Sequence, residues 1–359
     1  MLDFTRVVKF SRNFRYFCVA VLKSNFHQGP WNILYFGTDQ FAVRSLDSLN
    51  SLKVNSSLIN NIEVICPAEK RRAKDIKQNK NISTVRQFAE INGLPIHNWP
   101  VDKKNVDFLS RFHLGIVVSF GHFIPSWIIR NLLCGAINVH PSLLPKWRGP
   151  SPIVNTLLNG DTETGVSIIE VSLKKFDAGN ILLQKKIQIP PNTTYEGLSE
   201  ELSILSSNML LDVLTNFTEL KTLAIAQDEK MVTEALKVSK EMGYVKWSEF
   251  TCEYIERLSR VIGHRFGLKC KWNDQVVKLE TFGEGSTLPP GASDSAEYGQ
   301  PFYNSCKNVL YIKCKDGWVG WTSLKIQYRK SITAKEFYNG YLVDKHTGKI
   351  TSSLFQDMA

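Results

Sequence analysis

Asn138 and His140 are the two side chains of this chain whose types and spacing most directly suggest chemistry. They alternate within the short apolar run 136–140, which has the composition of a β-strand and is followed by proline. Alternate side chains of a strand share one face, so the amide and the imidazole would meet one reacting atom. An Asn amide stabilises a developing oxyanion, and a His transfers protons near neutral pH. The pair predicts an active-site edge; the competing interpretation is a capped turn with a hydrogen-bonded histidine.

An acidic turn follows the strand-like run 165–171 and could complete such a site. It contains Asp177 within the segment 174–179. Proline and glycine residues in the segment 141–150 stiffen or bend the chain after His140. If the two strand-like runs are neighbours, Asp177 reaches His140 and can orient its imidazole.

Strand-like runs and helix-like stretches alternate from Trp31 to about Lys221. This alternation predicts an α/β fold with a Rossmann-like parallel sheet. Ligands of such sheets bind beyond the carboxyl ends of the strands, where Gly37, Gly121 and His140 are expected to lie. The turn after the first strand lacks the Gly-x-Gly-x-x-Gly spacing of dinucleotide sites, so dinucleotide binding is not expected.

The chain is long enough, at 359 residues, for two domains with separate cores. Residues 31–222 form the predicted catalytic domain, and the polar, mixed-charge stretch 223–244 forms the predicted linker. Residues 245–350 contain a helix-like stretch and short strand-like runs between Gly and Pro turns, which favours a small β-barrel.

The composition predicts a soluble protein without membrane insertion, because 43% of the residues are hydrophobic and no apolar run reaches membrane-spanning length. The formal net charge of +10 weakly favours an anionic partner. The 7 cysteines include no Cys-x-x-Cys pair. We therefore predict no metal site, and free, mostly buried thiols in a reducing compartment.

The amino-terminal segment, residues 1–30, differs from the rest and predicts a mitochondrial transit peptide. Basic residues recur at every third position from Arg6 to Arg15, apolar residues lie between them, and Asp3 is the only acid of the segment. A disordered basic tail is the alternative interpretation.

Taken together, these motifs resemble the folate-dependent formyltransferases, in particular the mitochondrial ones that act on methionyl-tRNA. The similarity centres on the segment 138–152, with Asp177 after it. It extends to the family's first strand and turn, its folate-side loop and two segments of its carboxy-terminal domain, namely 33–42, 118–125, 314–318 and 337–342. The resemblance therefore runs from about Trp31 to about Val343.

The resemblance implies transfer of the formyl group of 10-formyltetrahydrofolate to the α-amino group of initiator methionyl-tRNA, for translation initiation in the mitochondrial matrix. Asn138 and His140 would stabilise the tetrahedral oxyanion, and Asp177 would orient His140 and favour its charged form. We expect a monomer that needs no metal. The folate pocket would be lined by Phe120, Gly121, Phe123, Ile124, Ser142, Leu143, Leu144 and Pro145.

A basic loop and the second domain predict the tRNA substrate. In formyltransferases that act on tRNA, the loop corresponding to 67–80 enters the acceptor arm, whereas composition alone predicts a solvated loop. The implied contacts are Lys70, Arg71, Arg72 and Lys74. The resemblance also implies an OB-like, tRNA-binding barrel at 245–350, and a role for Arg148 in either tRNA positioning or buttressing its loop.

The chain departs from the bacterial family pattern around the acid. Bacterial members usually carry Gly-x-Asp-Thr-Gly, whereas this chain has Lys175-Phe176-Asp177-Ala178-Gly179, so the acid is retained and the shape of the turn differs. Several alternatives stay open: a formyltransferase acting on glycinamide ribonucleotide or an amino sugar, a formyltetrahydrofolate hydrolase, and a tRNA-binding module without activity.

Overall fold

The computed structural model describes residues 29–68, 83–104, 106–286, 288–293, 295–344 and 346–358. Almost all of the predicted transit peptide, and the predicted tRNA contacts at Lys70, Arg71, Arg72 and Lys74, lie outside these residues. The chain forms two compact units. The first comprises the described residues up to Pro152 with Glu163–Gln188 and Ser199–Ala235, and the second comprises Ile153–Thr162, Ile189–Leu198 and the chain after Ala235.

A seven-stranded sheet in the order β3-β2-β1-β4-β5-β6-β7 organises the first unit. Its strands are β1 (Trp31–Gly37), β2 (Ile59–Pro67), β3 (Ile96–Trp99), β4 (Leu114–Val118), β5 (Ala136–His140), β6 (Glu163–Glu170) and β7 (Ile181–Gln188). Neighbours from β3 to β5 pair in parallel, which confirms the predicted α/β fold. The sheet is mixed rather than purely parallel, because β6 runs antiparallel to β5, and β7 to β6.

Helices connect these strands or follow the last of them. They are α1 (Gln40–Asn55), α2 (Thr84–Ile91), α3 (Ser126–Asn131), α4 (Pro152–Leu158), α5 (Tyr195–Thr215) and α6 (Phe217–Thr222). Helix α1 begins directly after β1, where the side chain of Asp39 accepts a hydrogen bond from the backbone N–H of Ala42 and so caps the helix. Strand β1 is buried at every residue except Asn32, because it lies inside the sheet with β2 and β4 on its two sides.

The second unit is built on an antiparallel sheet in the order β10-β11-β12-β9-β8-β14, with β13 paired to β12. Its elements are α7 (Cys252–Phe266), β8 (Leu268–Trp272), β9 (Gln275–Ser286), β10 (Pro301–Asn304), β11 (Val309–Lys313), β12 (Trp318–Ile326), β13 (Ser331–Thr333), α8 (Ala334–Phe337) and β14 (Phe355–Gln356). Trp272, Trp318 and Trp321 are buried in its core. The prediction of a second, small β-domain is confirmed, in the form of an antiparallel half-barrel.

In the part of the chain that the structure describes, no helix is long and apolar enough to cross a membrane. Six described cysteines carry free thiols, and four of these six are buried.

Candidate active site

Parallel strands bring the candidate site residues to one edge of the first unit's sheet. Gly37 and His140 end β1 and β5, and Gly121 follows β4, so all three lie at the carboxyl edge as predicted. Asn138 pairs with Ile169 of the antiparallel neighbour β6. Because β6 runs in the opposite direction, the turn that carries Asp177 leaves β6 beside the start of β5. It then extends back towards the side chains of β5.

Asn138, His140 and Asp177 lie together, as the sequence predicted. The amide Nδ2 of Asn138 donates to Oδ1 of Asp177 at 2.9 Å. The same carboxylate oxygen lies 3.6 Å from Nδ1 of His140. The second oxygen of the carboxylate, Oδ2, accepts the backbone N–H of Gly149 at 3.0 Å. Asp177 therefore holds one amide and one imidazole beside each other while its own position is fixed by two hydrogen bonds.

The imidazole of His140 is held from its other side as well. Its Nε2 lies 2.8 Å from the backbone oxygen of Trp147, and the ring is buried. A carbonyl oxygen only accepts hydrogen bonds, so Nε2 carries the hydrogen and Nδ1 faces the Asp177 carboxylate. A proton taken up by the ring at Nδ1 would consequently face a negative charge.

Backbone strain marks both loops of the site. Trp147 has φ of +65° and Asp177 has φ of +51°, a left-handed conformation that side chains other than glycine seldom adopt. Such conformations persist where the surrounding structure determines them, and they concentrate at functional sites. Here the strained residues present the carbonyl and the carboxylate that contact His140.

A segment far along the chain braces these loops, and we call residues 227–235 the strap. Gln227 donates from Nε2 to the backbone oxygens of Asp177 and Gly179, each at 2.8 Å. Its Oε1 accepts a hydrogen bond from Nε of Arg148 at 2.9 Å. One side chain of the strap thus joins the turn of Asp177 to the loop that follows His140.

The strap also pairs with the His140 loop through the backbone. The N–H of Arg148 donates to the oxygen of Thr233 at 2.9 Å, and the N–H of Ala235 donates to the oxygen of Arg148 at 2.6 Å. The hydroxyl of Thr233 accepts the N–H of Trp147 at 2.9 Å. The sequence offered no local signal for the strap, because it lies in a polar stretch that was assigned to the linker.

The side-chain contacts of Arg148 hold its loop in place. Its guanidinium donates to both carboxylate oxygens of Glu229, at 3.0 and 3.3 Å, and only 10% of the side chain is exposed. The hydrogen bonds from Arg148 hold the pKa of Glu229 below its ordinary value. Of the two roles predicted for Arg148, these contacts favour buttressing its loop, and direct tRNA contact stays a prediction.

The predicted folate residues divide into buried and outward-facing groups. Those with buried side chains are Phe120, Ile124, Ser142 and Leu144. Ser142, for example, donates from its hydroxyl to the backbone oxygen of Lys146 at 2.6 Å, within its own loop. Side chains buried in this way pack within the protein and shape the loop. The others are Gly121, Phe123, Leu143 and Pro145, of which Gly121 and Phe123 are exposed.

An exposed aromatic pair lies next to Asp177. The rings of Phe123 and Phe176 meet edge to face with centroids 5.2 Å apart, and the two residues are 42% and 57% exposed. In the sequence, Phe176 stood out only as a neighbour of Asp177. Exposed apolar side chains beside polar groups are typical of ligand sites.

Comparison with known proteins identifies the class to which this fold and site belong. The family description "Formyl transferase" matches residues 31–214, and "Formyl transferase, C-terminal domain" matches residues 237–342. The chain therefore belongs to the formyl transferase family, as its sequence motifs predicted.

Within the family, the chain is similar to mitochondrial methionyl-tRNA formyltransferases. It is 37% identical to the Homo sapiens enzyme over 320 residues, which cover 87% of this chain and 78% of that protein. It is 38% identical to the Rattus norvegicus enzyme over 321 residues, which cover 87% and 79% of the two chains. These matches confirm the resemblance inferred from the motifs.

A solved structure supports the fold. The N-formyltransferase from Helicobacter canadensis, determined with folinic acid and dTDP-3-aminofucose, superposes with a TM-score of 0.55 at 16% identity. The match covers 81% of this chain and 98% of that one.

Proposed function

We propose that this protein transfers the formyl group of 10-formyltetrahydrofolate to the α-amino group of initiator methionyl-tRNA in the mitochondrial matrix. The observation that carries the proposal is the convergence of Asn138, His140 and Asp177 at the carboxyl edge of a formyltransferase sheet. Similarity to the mitochondrial enzymes over 87% of the chain supports the choice of methionyl-tRNA as acceptor. Both described relatives are mitochondrial, and the basic amino-terminal segment supports import.

The chemistry follows from the donors of the site. A neutral amine attacks the formyl carbon, and the carbonyl oxygen becomes the oxyanion of a tetrahedral intermediate. The amide nitrogen of Asn138 carries two hydrogens; one is donated to Asp177 and the other suits the oxyanion. His140 moves protons between the attacking amine and the departing folate nitrogen, and Asp177 stabilises the ring while it is charged.

The exposed aromatic pair supports a folate pocket beside this centre. Phe123 and Phe176 offer apolar ring surface next to Asp177, which suits the pterin ring system of a folate. Gly121 leaves open space in the same loop, since a Cβ placed there would meet nothing within 4 Å. We assign Gly121, Phe123, Leu143 and Pro145 to the pocket, with the buried members of the predicted set behind them.

Neutralising Arg71 and Arg72 together tests the tRNA assignment. We expect weaker binding of Met-tRNA, with the slope of log affinity against log salt reduced by about 2, because each phosphate contact contributes about one unit. The matched control neutralises Lys103 and Lys104, two basic residues outside the predicted loop, and should leave the slope unchanged. If the neutralised variant binds Met-tRNA with the same affinity and the same salt dependence as the wild-type protein, the loop is not part of the tRNA interface.

Gln227→Ala tests the strap. We expect kcat for formyl transfer to fall by about tenfold, since loss of the hydrogen bonds to the turn of Asp177 costs roughly 1.4 kcal/mol of transition-state positioning. The KM for Met-tRNA should change less than twofold. Gln188→Ala, at an exposed position of β7, is the control and should match the wild-type protein. If the Gln227→Ala protein has a lower Tm but an unchanged kcat, the strap contributes to the stability of the fold and not to catalysis.

A further inference from the structure

Two cysteine sulfurs meet in the second unit, and neither belongs to the residues assigned to formyl transfer. Sγ of Cys252 lies 3.3 Å from Sγ of Cys314. Cys252 is the first residue of α7, and Cys314 directly follows β11. The sequence predicted free thiols because it contains no Cys-x-x-Cys pair and an odd number of cysteines. These two cysteines are 62 positions apart.

Hydrogen bonds hold the two backbone segments together around these sulfurs. The N–H of Cys252 donates to Oδ1 of Asp316 at 2.7 Å. The N–H of Lys315 donates to the oxygen of Phe250 at 3.2 Å. The turn between β11 and β12 is itself closed by a bond from the N–H of Cys314 to the oxygen of Gly317 at 2.8 Å. The contact between the thiols is therefore built into the packing of α7 against this turn.

The two thiols differ in access and in acidity. Cys314 is fully buried, whereas Cys252 is partly exposed, so a reagent in solvent reaches Cys252 first. The hydrogen bond shared by the sulfurs lowers the pKa of Cys314 and raises that of Cys252. Loss of one proton leaves a single negative charge between the two sulfurs, and a thiolate is the reactive form in disulfide exchange.

We propose that Cys252 and Cys314 form a redox-active dithiol, a modification site that low-molecular-weight disulfides convert into an intramolecular disulfide bond. The sulfur of Cys252 attacks one sulfur of the reagent, R–S–S–R, while its proton passes to the Cys314 thiolate across the shared hydrogen bond, and one RS⁻ leaves. The sulfur of Cys314 then attacks the mixed disulfide at Cys252, and the second RS⁻ leaves. The two protons of the protein thiols end on the two departing groups, so two RSH form for each protein disulfide.

The geometry favours a disulfide over a shared metal ion. Two thiolates on one tetrahedral zinc ion lie about 3.8 Å apart, given Zn–S bonds of about 2.3 Å. The sulfurs here are closer than that, at 3.3 Å. Asp316, the third member of the group, already accepts the backbone N–H of Cys252. Closing the pair to a disulfide needs about 1 Å of movement, since bonded sulfurs lie about 2.05 Å apart.

The test uses the full-length protein in buffers with increasing ratios of oxidised to reduced glutathione, followed by acid quench and mass spectrometry. We expect a loss of two hydrogens, a cross-linked peptide pair that contains Cys252 and Cys314, and reversal by dithiothreitol. Because the bond constrains a long loop of the unfolded chain, the oxidised protein should have a Tm higher by about 5 °C.

Cys306→Ser is the matched control, since Cys306 is an exposed cysteine of the same unit. This variant should form the disulfide and show the same rise in Tm on oxidation. Cys252→Ser and Cys314→Ser should show neither the disulfide nor the rise. A stable glutathione adduct on Cys252 of the wild-type protein beside a free Cys314 would overturn the proposal. So would complete modification of Cys306 while the pair stays reduced, or a stoichiometric zinc ion that Cys252→Ser releases.

Discussion

Replacing His140 with alanine is expected to lower the rate of formyl transfer about a thousandfold, because it removes the imidazole that carries the proton and shares stabilisation of the oxyanion with Asn138. The ring lies between Asp177 and the carbonyl of Trp147, at 3.6 and 2.8 Å. The effect should appear in single-turnover experiments with saturating folate and Met-tRNA, which report the chemical step.

Binding of Met-tRNA should survive this change, since the predicted tRNA contacts lie elsewhere in the chain. His264→Ala is a suitable control, because that histidine is at the surface and pairs with Glu196 at 3.0 Å. It should transfer formyl groups at the wild-type rate. A His140→Ala protein that keeps more than a tenth of the wild-type rate would contradict the role assigned to the ring.

Gly149→Ala is expected to destabilise the first unit by about 2–4 kcal/mol and to lower activity together with stability. Gly149 has φ of +129°, which favours glycine, and a Cβ there would lie 2.6 Å from the backbone oxygen of Ala235. The added carbon would push the strap away from the loop. The same glycine donates its N–H to Asp177, so displacement of the loop also loosens the carboxylate.

A matched control separates the clash from the cost of the backbone conformation. Gly93 also has a positive φ, +63°, but a Cβ there would meet nothing within 4 Å. Gly93→Ala should therefore cost only about 1 kcal/mol, the price of the left-handed conformation. Chemical denaturation of both variants gives the two free energies of unfolding. Equal losses in the two variants would mean that the strap does not press against Gly149.

Local patterns were sufficient to predict the parallel part of the sheet and the placement of Asn138 and His140 together on one strand. Strands β4 and β5 are short apolar runs with clear ends, so their carboxyl edge and the placement of His140 follow from periodicity and chain direction. The role of Asp177 needed more than the pattern. A single acid after a strand is common; the strand-like runs placed Asp177 within reach of His140 only if they were neighbours, and the family resemblance supplied its role.

The remainder of the site depends on contacts between distant parts of the chain. Gln227 is 50 positions from Asp177, and nothing in its polar surroundings distinguishes it from a linker residue. The antiparallel direction of β6 was also missed, because an apolar run has the same composition in either direction. Similarly, the burial of Ser142 results from a loop that folds onto itself, which spacing alone does not reveal.

The central claim is that this site formylates methionyl-tRNA, and one assay tests it directly. The purified protein is mixed with 10-formyltetrahydrofolate and Met-tRNA, and the products are separated and identified. We predict formylmethionyl-tRNA and an equal amount of tetrahydrofolate, formed about a thousandfold more slowly by the His140→Ala protein. Release of formate, or transfer to a nucleotide or an amino sugar while Met-tRNA stays unmodified, would contradict the account.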